Sequence, residues 1–518
     1  MYLRQLDIVG FRGINRLSFT LQPNMVLIGE NAWGKSSLLA VLSLIFNDEK
    51  RLYQFQATDF YQDENNAFTA KEITLFFTFS VHREAKSLTH FPYNQLAIFD
   101  DEPYAKIYFQ ITGEMQGAEI ITTYHFLDGE GNVLKLENPE QMAMALIAQH
   151  PVYRFRDARL NSSAKHQHFS ALPLLLDDPK VNREIQSTLH LLQHYFLNRA
   201  VTAELMQDTT ALWNDVKSLC LKLREKQHHS LRYILFQQLT QLFVSSDELR
   251  DFHSLRPIIL FEDPDARLHP RMVAIIWELV SYLPIQRITT TNSVELLSQI
   301  PLQSICRLVR NTERTEAFQL AHQLNKEELR RLTFHIRHNR SLALFSRMWL
   351  LVEGETEVWI LTELAELLGI DLAMEGIRIV EFAQCGLRPL IHYAKAMGIE
   401  WYVLTDGDEA GKKYSATAKS LLNDKEQSAM RLTYLPKKDI EHFFYYAGFE
   451  QTFIRLARWQ DHSQKYLVHR IIQRAIQRTS KPDLAVALSN EIKQRGVASI
   501  PRLFKQLFTR VLILARSS

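Results

Sequence analysis

Cysteine is scarce in this chain: Cys220, Cys306 and Cys385 are the only three, far apart and in no ligand-spaced group. That excludes a disulfide-stapled secreted scaffold and a zinc module, and fits a reduced, cytoplasmic setting. No apolar run approaches the roughly 18 residues of a bilayer-spanning helix, so no membrane partner is expected. The opening "MYLRQLDIVGFRGINRLSF" alternates apolar and polar residues like a strand and lacks the apolar core of a signal peptide. No Pro/Gly/Ser-rich linker, internal repeat or low-complexity tract interrupts the chain. Domain boundaries are therefore soft, although 518 residues are too many for one ordinary core. Two or three domains are expected.

What is present is a globular composition, 46% hydrophobic and 23% charged. The net charge of +2 hides an uneven distribution. Residues 453–518 hold 13 Lys/Arg against 3 Asp/Glu, a net +10 on a body of −8. A basic segment on an acidic body is the footprint of a nucleic-acid binder. A solvated helical face would produce the same run.

"MVLIGENAWGKSSLLAVLSLIF" predicts a strand, a glycine loop and a helix. Antiparallel strands are expected over 71–127 and helices over about 178–250. "PIILFEDPDARLHP" predicts a buried strand ending in acids, and "QRITTTNSVELLS" a short strand and a helix start. After about 345, "WLLVEG", "IRIVEFA" and "EWYVLTDGD" each precede a helix-like run, which predicts a parallel α/β unit. The tail beyond 446 is helical and basic.

"GENAWGKS", Gly29 to Ser36, fits G-x-x-x-x-G-K-[ST] between a strand and a helix, the context a P-loop requires. Gly29 and Gly34 let the backbone curl so that amides of Glu30, Asn31, Ala32, Trp33 and, beyond the loop, Ser37 face phosphate oxygens. Lys35 is expected to reach the β- and γ-phosphates of ATP and Ser36 to hold Mg²⁺. "IILFEDP" supplies the second acid. Glu262 ends its strand where a Walker B carboxylate holds the metal, and Asp263 is the candidate water-activating carboxylate. His269 is expected to be structural, with a catalytic role as the other possibility. The long gap between the two motifs predicts a split ATPase head with an insertion.

A second set of acids lies downstream. "LLVEGETEVWI" puts Glu353, Glu355 and Glu357 behind an apolar run, where unpaired like charges are costly. "YVLTDGDEAGKK" adds Asp406 and Asp408, and "KKDIEHFF" adds Asp439 and Glu441. Strand C-termini of a parallel sheet open onto one edge, so these acids converge there. Several oxygens with intervening water suit Mg²⁺ or Mn²⁺ and not zinc. Either stretch alone could be an ordinary helix-start turn.

The stretch "LDIVGFRGINRLSFTLQPNMVLIGENAWGKSSLL" resembles the opening of the ABC-type ATPase heads of the SMC, Rad50 and RecF group. That resemblance implies that Arg12 lies near the nucleotide and that two heads sandwich ATP. The chain departs from the group at Ser230, which has no signature glycine, and at Asn292, where a switch histidine is usual; the expectation is either slow hydrolysis or ATP serving mainly to gate dimer geometry. E-G-x-x-E followed by D-x-D resembles the TOPRIM domain of topoisomerases, primases and certain nucleases. It implies Glu353 as acid/base or first metal ligand, Glu357 as support for a second metal, and Asp406 and Asp408 as the principal ligands.

Both together, in one chain, resemble the OLD (overcoming lysogenization defect) family of ATP-dependent nucleases, in wording nearest its YbjD-like bacterial members. The family resemblance implies dimerisation through a helical insertion, here 178–230, and a lysine behind the TOPRIM core, here Lys481 in "TSKPDLA". Lys481 would equally serve as a surface lysine opening a helix at Pro482. The expected architecture is α/β. A split ABC-type head comprises an N-terminal lobe (1–177), the insertion (178–230) and a C-terminal lobe (231–344). A TOPRIM domain (345–446) and a basic helical segment (447–518) follow. The expected activity is an ATP- and Mg²⁺- or Mn²⁺-dependent DNA endonuclease acting as a homodimer, with RNA not excluded. An ATP-gated DNA clamp with a weak TOPRIM site is the alternative. Strand-passing or primase chemistry lacks its tyrosine domain and zinc module here.

Overall fold

The computed structural model describes residues 1–47, 49, 51–63, 69–99, 103–117, 119–156, 178–197, 209–225, 229–240, 242, 255–266, 268–283, 285–311, 313–320, 324–339, 341–424, 426–459 and 468–517. The chain divides into two units, Met1–Phe318 and Gln319–Ser518.

The first unit opens with β1 (Tyr2–Phe11), β2 (Ile14–Thr20) and β3 (Asn24–Ile28). β1 and β2 join an antiparallel sheet with β4 (Glu72–His82), β5 (Ile98–Phe99), β6 (Tyr104–Gln116) and β7 (Glu119–Leu127). Strict alternation explains its one-sided burial: Ile73, Leu75, Phe77 and Phe79 of β4 are all 0% exposed. The helix Lys35–Ile45 buries Leu38 and Leu42 in the same core, and Phe46 behind it meets Phe77 and Phe79 edge-on.

β3 belongs to a second sheet with β8 (Val152–Phe155), β9 (Ile258–Glu262), β10 (Gln286–Thr290), β11 (Ile305–Arg310) and β12 (Thr315–Gln319). The order is β12-β11-β3-β10-β9-β8, and the pairs from β11 to β8 are parallel. All of β10 and four residues of β9 are buried, as expected of strands covered on both faces. The sheet is assembled from both sides of a helical region, so the head is split. Within that region the helices Pro179–Leu192 and Thr210–Arg224 are joined through buried Glu184, which accepts from Ser218 Oγ at 2.7 Å and Lys222 Nζ at 2.8 Å. Of the insertion expected at 178–230, residues 198–208 and 226–228 lie outside the described residues.

The second unit holds a wholly parallel sheet, β14-β13-β15-β16, of β13 (Met348–Val352), β14 (Ile377–Glu381), β15 (Glu400–Thr405) and β16 (Leu432–Tyr434). The basic tail does not stand apart from it. The helices Val468–Arg478, Lys481–Arg495 and Arg502–Ser517 send Ile472, Leu488, Phe504 and Val511 into one core with Leu350 and Val352. Part of the positive charge is held within the unit: Arg516 grips Glu375 at 2.5 and 2.9 Å, and Arg495 bonds Glu491 at 2.8 Å. Among the described residues, no helix is long and apolar enough to cross a membrane.

Candidate functional site

β3, β10 and β9 end on one edge of the second sheet, with β10 between the other two. After β3 the chain turns through the glycine loop into the helix Lys35–Ile45. Gly29 and Gly34 have φ of +146° and +91°, where an L side chain is strained. A Cβ on Gly29 would also stand 2.7 Å from the Leu308 carbonyl oxygen. Trp33 is buried beneath the loop with the Arg307 guanidinium 5.1 Å from its ring, and its amide donates to the Glu30 carbonyl. Asn31, Ala32 and Ser36 are exposed and Ser37 is half-buried.

Lys35 is buried, and its ammonium donates to the Gly29 carbonyl. Burial lowers its pKa while the Asp263 and Glu30 carboxylates oppose the shift. Burial and the neighbouring Asp265 raise the pKa of Asp263, and Lys35 lowers it. The P-loop cation and the acid after β9 thus face each other across the end of β10. Asp263 is held in a left-handed conformation, φ +41°, with its amide on the Thr290 carbonyl at 3.1 Å. Asp265 accepts from Thr291 Oγ1 at 2.7 Å.

Glu262 is gripped by Arg154 of β8 through two hydrogen bonds of 2.5 and 2.9 Å. Arg12 lies in the β1–β2 turn, where the Gly13 amide donates to Ser37 Oγ at 3.3 Å, so the turn abuts the P-loop helix. Its guanidinium, however, is committed to buried Asp59 at 2.8 and 2.9 Å. His269 caps the helix Pro270–Ser281 by accepting from the Arg271 amide at 3.3 Å, a structural task. Ser230 and Asn292 are exposed. A glycine cradle, a lysine that has no carboxylate within bonding distance among the described residues, and an exposed Ser36 together fit a nucleoside triphosphate.

The parallel sheet of the second unit delivers its acids in the same way. Glu353 follows β13, Asp406 and Asp408 follow β15, and Asp439 and Glu441 follow β16. Glu357, in the first turn of the helix Glu355–Leu367, is 7% exposed and accepts from the Gly354 amide at 3.2 Å. Asp408 caps the helix Glu409–Ser420 through the Gly411 amide at 2.8 Å. Asp439 caps Ile440–Phe444 through the His442 amide at 2.7 Å.

These carboxylates repel one another. Burial, then the charges of Glu357, Glu353, Asp439 and Glu441, push Asp406 up to about 8. Burial lifts Glu357 to about 7, helped by Glu353 and opposed by the Gly354 hydrogen bond and the Lys481 charge. Glu441 is raised by burial and by Asp439, and Glu353 by burial and by Asp408. Glu353 Oε2 is buried with no hydrogen-bond partner among the described residues. Among the described residues, no three His, Cys, Asp or Glu side chains stand in ion-holding geometry as they are. An all-oxygen set with an orphaned buried oxygen and strong mutual repulsion nevertheless fits a hard divalent cation, whose charge offsets that repulsion.

Lys481 is the first residue of the helix Lys481–Arg495, and its ammonium bonds Glu355 Oε2 at 3.2 Å. It therefore stands at the turn that carries Glu355 and Glu357. Sequence reasoning missed Arg154, Asp59 and His442. His442 Nδ1 lies 2.5 Å from Asp439 Oδ1, and its ring stacks on His469 with centroids 5.8 Å apart. Only the i,i+3 spacing in "DIEH" hints at the His442 contact. Arg154 and Asp59 are joined to their partners across 108 and 47 residues, which leaves no local signal.

Residues 1–343 match the family described as Protein of unknown function (DUF2813). Residues 344–408 match the family described as Overcoming lysogenization defect protein-like, TOPRIM domain. The Escherichia coli (strain K12) protein called Uncharacterized protein YbjD is 40% identical over 549 residues, covering 100% of this chain and 99% of that one. Among solved structures, the C-terminal region of the Burkholderia pseudomallei OLD protein aligns with 33% of this chain and 99% of its own, at 16% identity and a TM-score of 0.28. The SMC head domain from Thermotoga maritima aligns with 62% of this chain and 100% of its own, at 12% identity and a TM-score of 0.31.

Proposed function

The chain belongs to the DUF2813 family and carries a TOPRIM domain of the overcoming-lysogenization-defect type, and from that premise we propose that it is an ATP-dependent, divalent-metal-dependent DNA endonuclease. The observation that supports this most is the gathering of six carboxylates at one sheet edge, with Asp406 pushed up to about 8 by burial and by four neighbouring acids. Such repulsion has no structural benefit, and it suits a cation site.

In the head, Lys35 neutralises the β- and γ-phosphates of ATP, and the loop amides from Gly29 to Lys35 hold the phosphate oxygens. Ser36 and Glu262 hold the nucleotide's Mg²⁺, and Asp263 orients the attacking water. In the TOPRIM domain, Asp406 and Asp408 would be the principal ligands of Mg²⁺ or Mn²⁺, with Glu357 and Glu441 supporting a second ion. A divalent ion held there would supply a water of lowered pKa and positive charge for the phosphate. Glu353, whose proton affinity is raised, takes the water proton. Lys481 offsets charge that develops on the phosphate. The protein works in the cytoplasm as a homodimer joined through its helical insertion. DNA is the substrate, and RNA presents the same phosphodiester chemistry.

An ATP-gated DNA clamp is the second reading, favoured by the Arg154 grip on Glu262 and by exposed Asn292 after β10. Supercoiled plasmid, incubated with Mg²⁺ or Mn²⁺ with and without ATP, separates the two. Nicking that is lost in Asp406→Ala and in Glu353→Ala, with ATPase retained, supports the nuclease. Unchanged cleavage by either variant refutes the metal-site assignment, and DNA retention without any cut favours the clamp.

A further inference from the structure

Beside the acidic edge stand two exposed aromatic rings, Tyr434 at the end of β16 and Tyr446 just after the helix Ile440–Phe444, with two exposed lysines in the loop between β16 and Asp439. Tyr434, the last residue of β16, is 38% exposed, and Tyr446 is 56% exposed. Lys437 and Lys438 are exposed and form no ion pair among the described residues. The Lys437 ammonium lies 4.3 Å from the Tyr446 ring centroid. A tyrosine with its ring in water and a cation on its face is an arrangement that a nucleobase can enter.

The loop is tied to the acids. Tyr434 Oη donates to the Gly407 carbonyl at 2.9 Å, and the Gly407 amide donates to the Lys438 carbonyl at 3.1 Å. Gly407 lies between Asp406 and Asp408, and a Cβ on it would stand 2.0 Å from the Lys437 carbonyl oxygen. Tyr434 and the two lysines thus have a fixed place next to the acidic edge, and Tyr446 adjoins them through the Lys437 ammonium. Lys412 and Lys413 of the helix Glu409–Ser420 are also exposed; Lys412 pairs with Glu409 at 2.6 Å and lies near the Tyr434 hydroxyl.

We propose that this aromatic and basic rim binds a single strand of nucleic acid, stacking unpaired bases on Tyr446 and Tyr434 while Lys437 and Lys438 meet its phosphates. A duplex hides its base faces within its own stack, so its contacts here are to phosphate alone. An unpaired strand offers both a face for each ring and a phosphate for each lysine. The preferred substrate is therefore single-stranded nucleic acid, or an unpaired segment at an end or junction. The direction of the strand toward the acids rests on the nuclease reading; its capture by the rim does not.

The test uses the full-length protein with Ca²⁺ in place of Mg²⁺ and a fluorescein-labelled 20-nucleotide oligonucleotide, single-stranded or as a blunt duplex, read by anisotropy. The wild type is expected to bind the single strand more tightly. Tyr446→Ala should weaken that binding about 5- to 150-fold, the range of one base stack, and change duplex binding less than about twofold. Tyr446→Phe should keep the preference, and Lys437→Gln should reduce the salt slope for the single strand by about 0.7. An unaltered thermal midpoint and circular dichroism spectrum in each variant show that the fold is intact. Equal wild-type affinity for the two DNAs, or an equal loss for both in Tyr446→Ala, overturns the proposal. The same oligonucleotides with Mn²⁺ report cleavage separately: stacking-dependent capture without any cut sinks the nuclease reading and leaves this one standing.

Discussion

Replacing Gly411 by alanine should damage a protein in which glycine-to-alanine changes within a helix ordinarily help. Gly411 is the third residue of the helix Glu409–Ser420, where alanine is normally favoured by about 1 kcal/mol. Here an added Cβ would stand 1.9 Å from the Asp406 carbonyl oxygen and 3.1 Å from the Asp406 Cα. Ordinary contact begins near 3.4 Å, so the helix start and the end of β15 must part by roughly 1.5 Å. The obstacle is backbone, which no rotamer change relieves. Overpacking of this kind costs about 1–3 kcal/mol, which outweighs the helix-propensity gain. If Asp406 and Asp408 are the proposed metal ligands, the larger effect falls on them, because a misplacement of about 1 Å at a reacting site lowers rates on the order of 100-fold. Gly411→Ala should therefore lower the thermal midpoint modestly and slow plasmid nicking about 100-fold, with ATP hydrolysis unchanged. A variant that melts higher than wild type and nicks at the wild-type rate would refute the packing argument.

Lys35→Ala should reduce ATP hydrolysis on the order of 100-fold or more while leaving metal-dependent nicking measurable; hydrolysis at the wild-type rate would show that the glycine loop is not the nucleotide site. Lys481→Ala should lower single-turnover cleavage at saturating DNA about 10- to 100-fold with little change in affinity; weaker binding with intact saturated cleavage would make the lysine a phosphate contact only. His150 is buried between Tyr93 Oη at 2.9 Å and the Arg256 carbonyl at 3.3 Å, and burial, with the nearby Met1 amino group and Arg256, holds its pKa down at about 3. Its folded value lies below its unfolded one, near 6.5, so the unfolded chain binds the extra proton and stability falls as pH drops through that window. The slope approaches about 1.4 kcal/mol per pH unit, and His150→Gln should flatten the decline in thermal midpoint between pH 6.5 and 5. An identical decline in both proteins would remove His150 as its cause.

The elements that carry chemistry were legible because each is local. A buried apolar run followed at once by acids or glycines is a strand end, and "MVLIGENAWGKS", "IILFEDP", "WLLVEG" and "EWYVLTDGD" all have that form. β3, β9, β13 and β15 end at those points in the structure. Parallel pairing within each sheet then requires the C-termini of its strands to share an edge, β3 with β9 in one sheet and β13 with β15 in the other, and alternation in "ITLFFTFSV" likewise predicted the antiparallel β4. The sequence by itself determined which residue types stand at the edges and which helix or strand presents them.

Tertiary structure decided the partners. Periodicity shows that Ile472, Leu488 and Phe504 lie on apolar faces, but not that those faces meet the TOPRIM sheet and draw the basic tail into its core. Charge composition shows an arginine in "VYRF" and a glutamate in "IILFE", but only the pairing of β8 with β9 brings Arg154 onto Glu262. In the same way, Arg12 sits in a turn that abuts the helix after the glycine loop, yet a contact 47 residues away directs its guanidinium to Asp59. The cause is common to all three. Local sequence sets backbone conformation and the face a side chain takes, whereas ion pairs and cores form between faces that only the folded topology brings within a few ångströms.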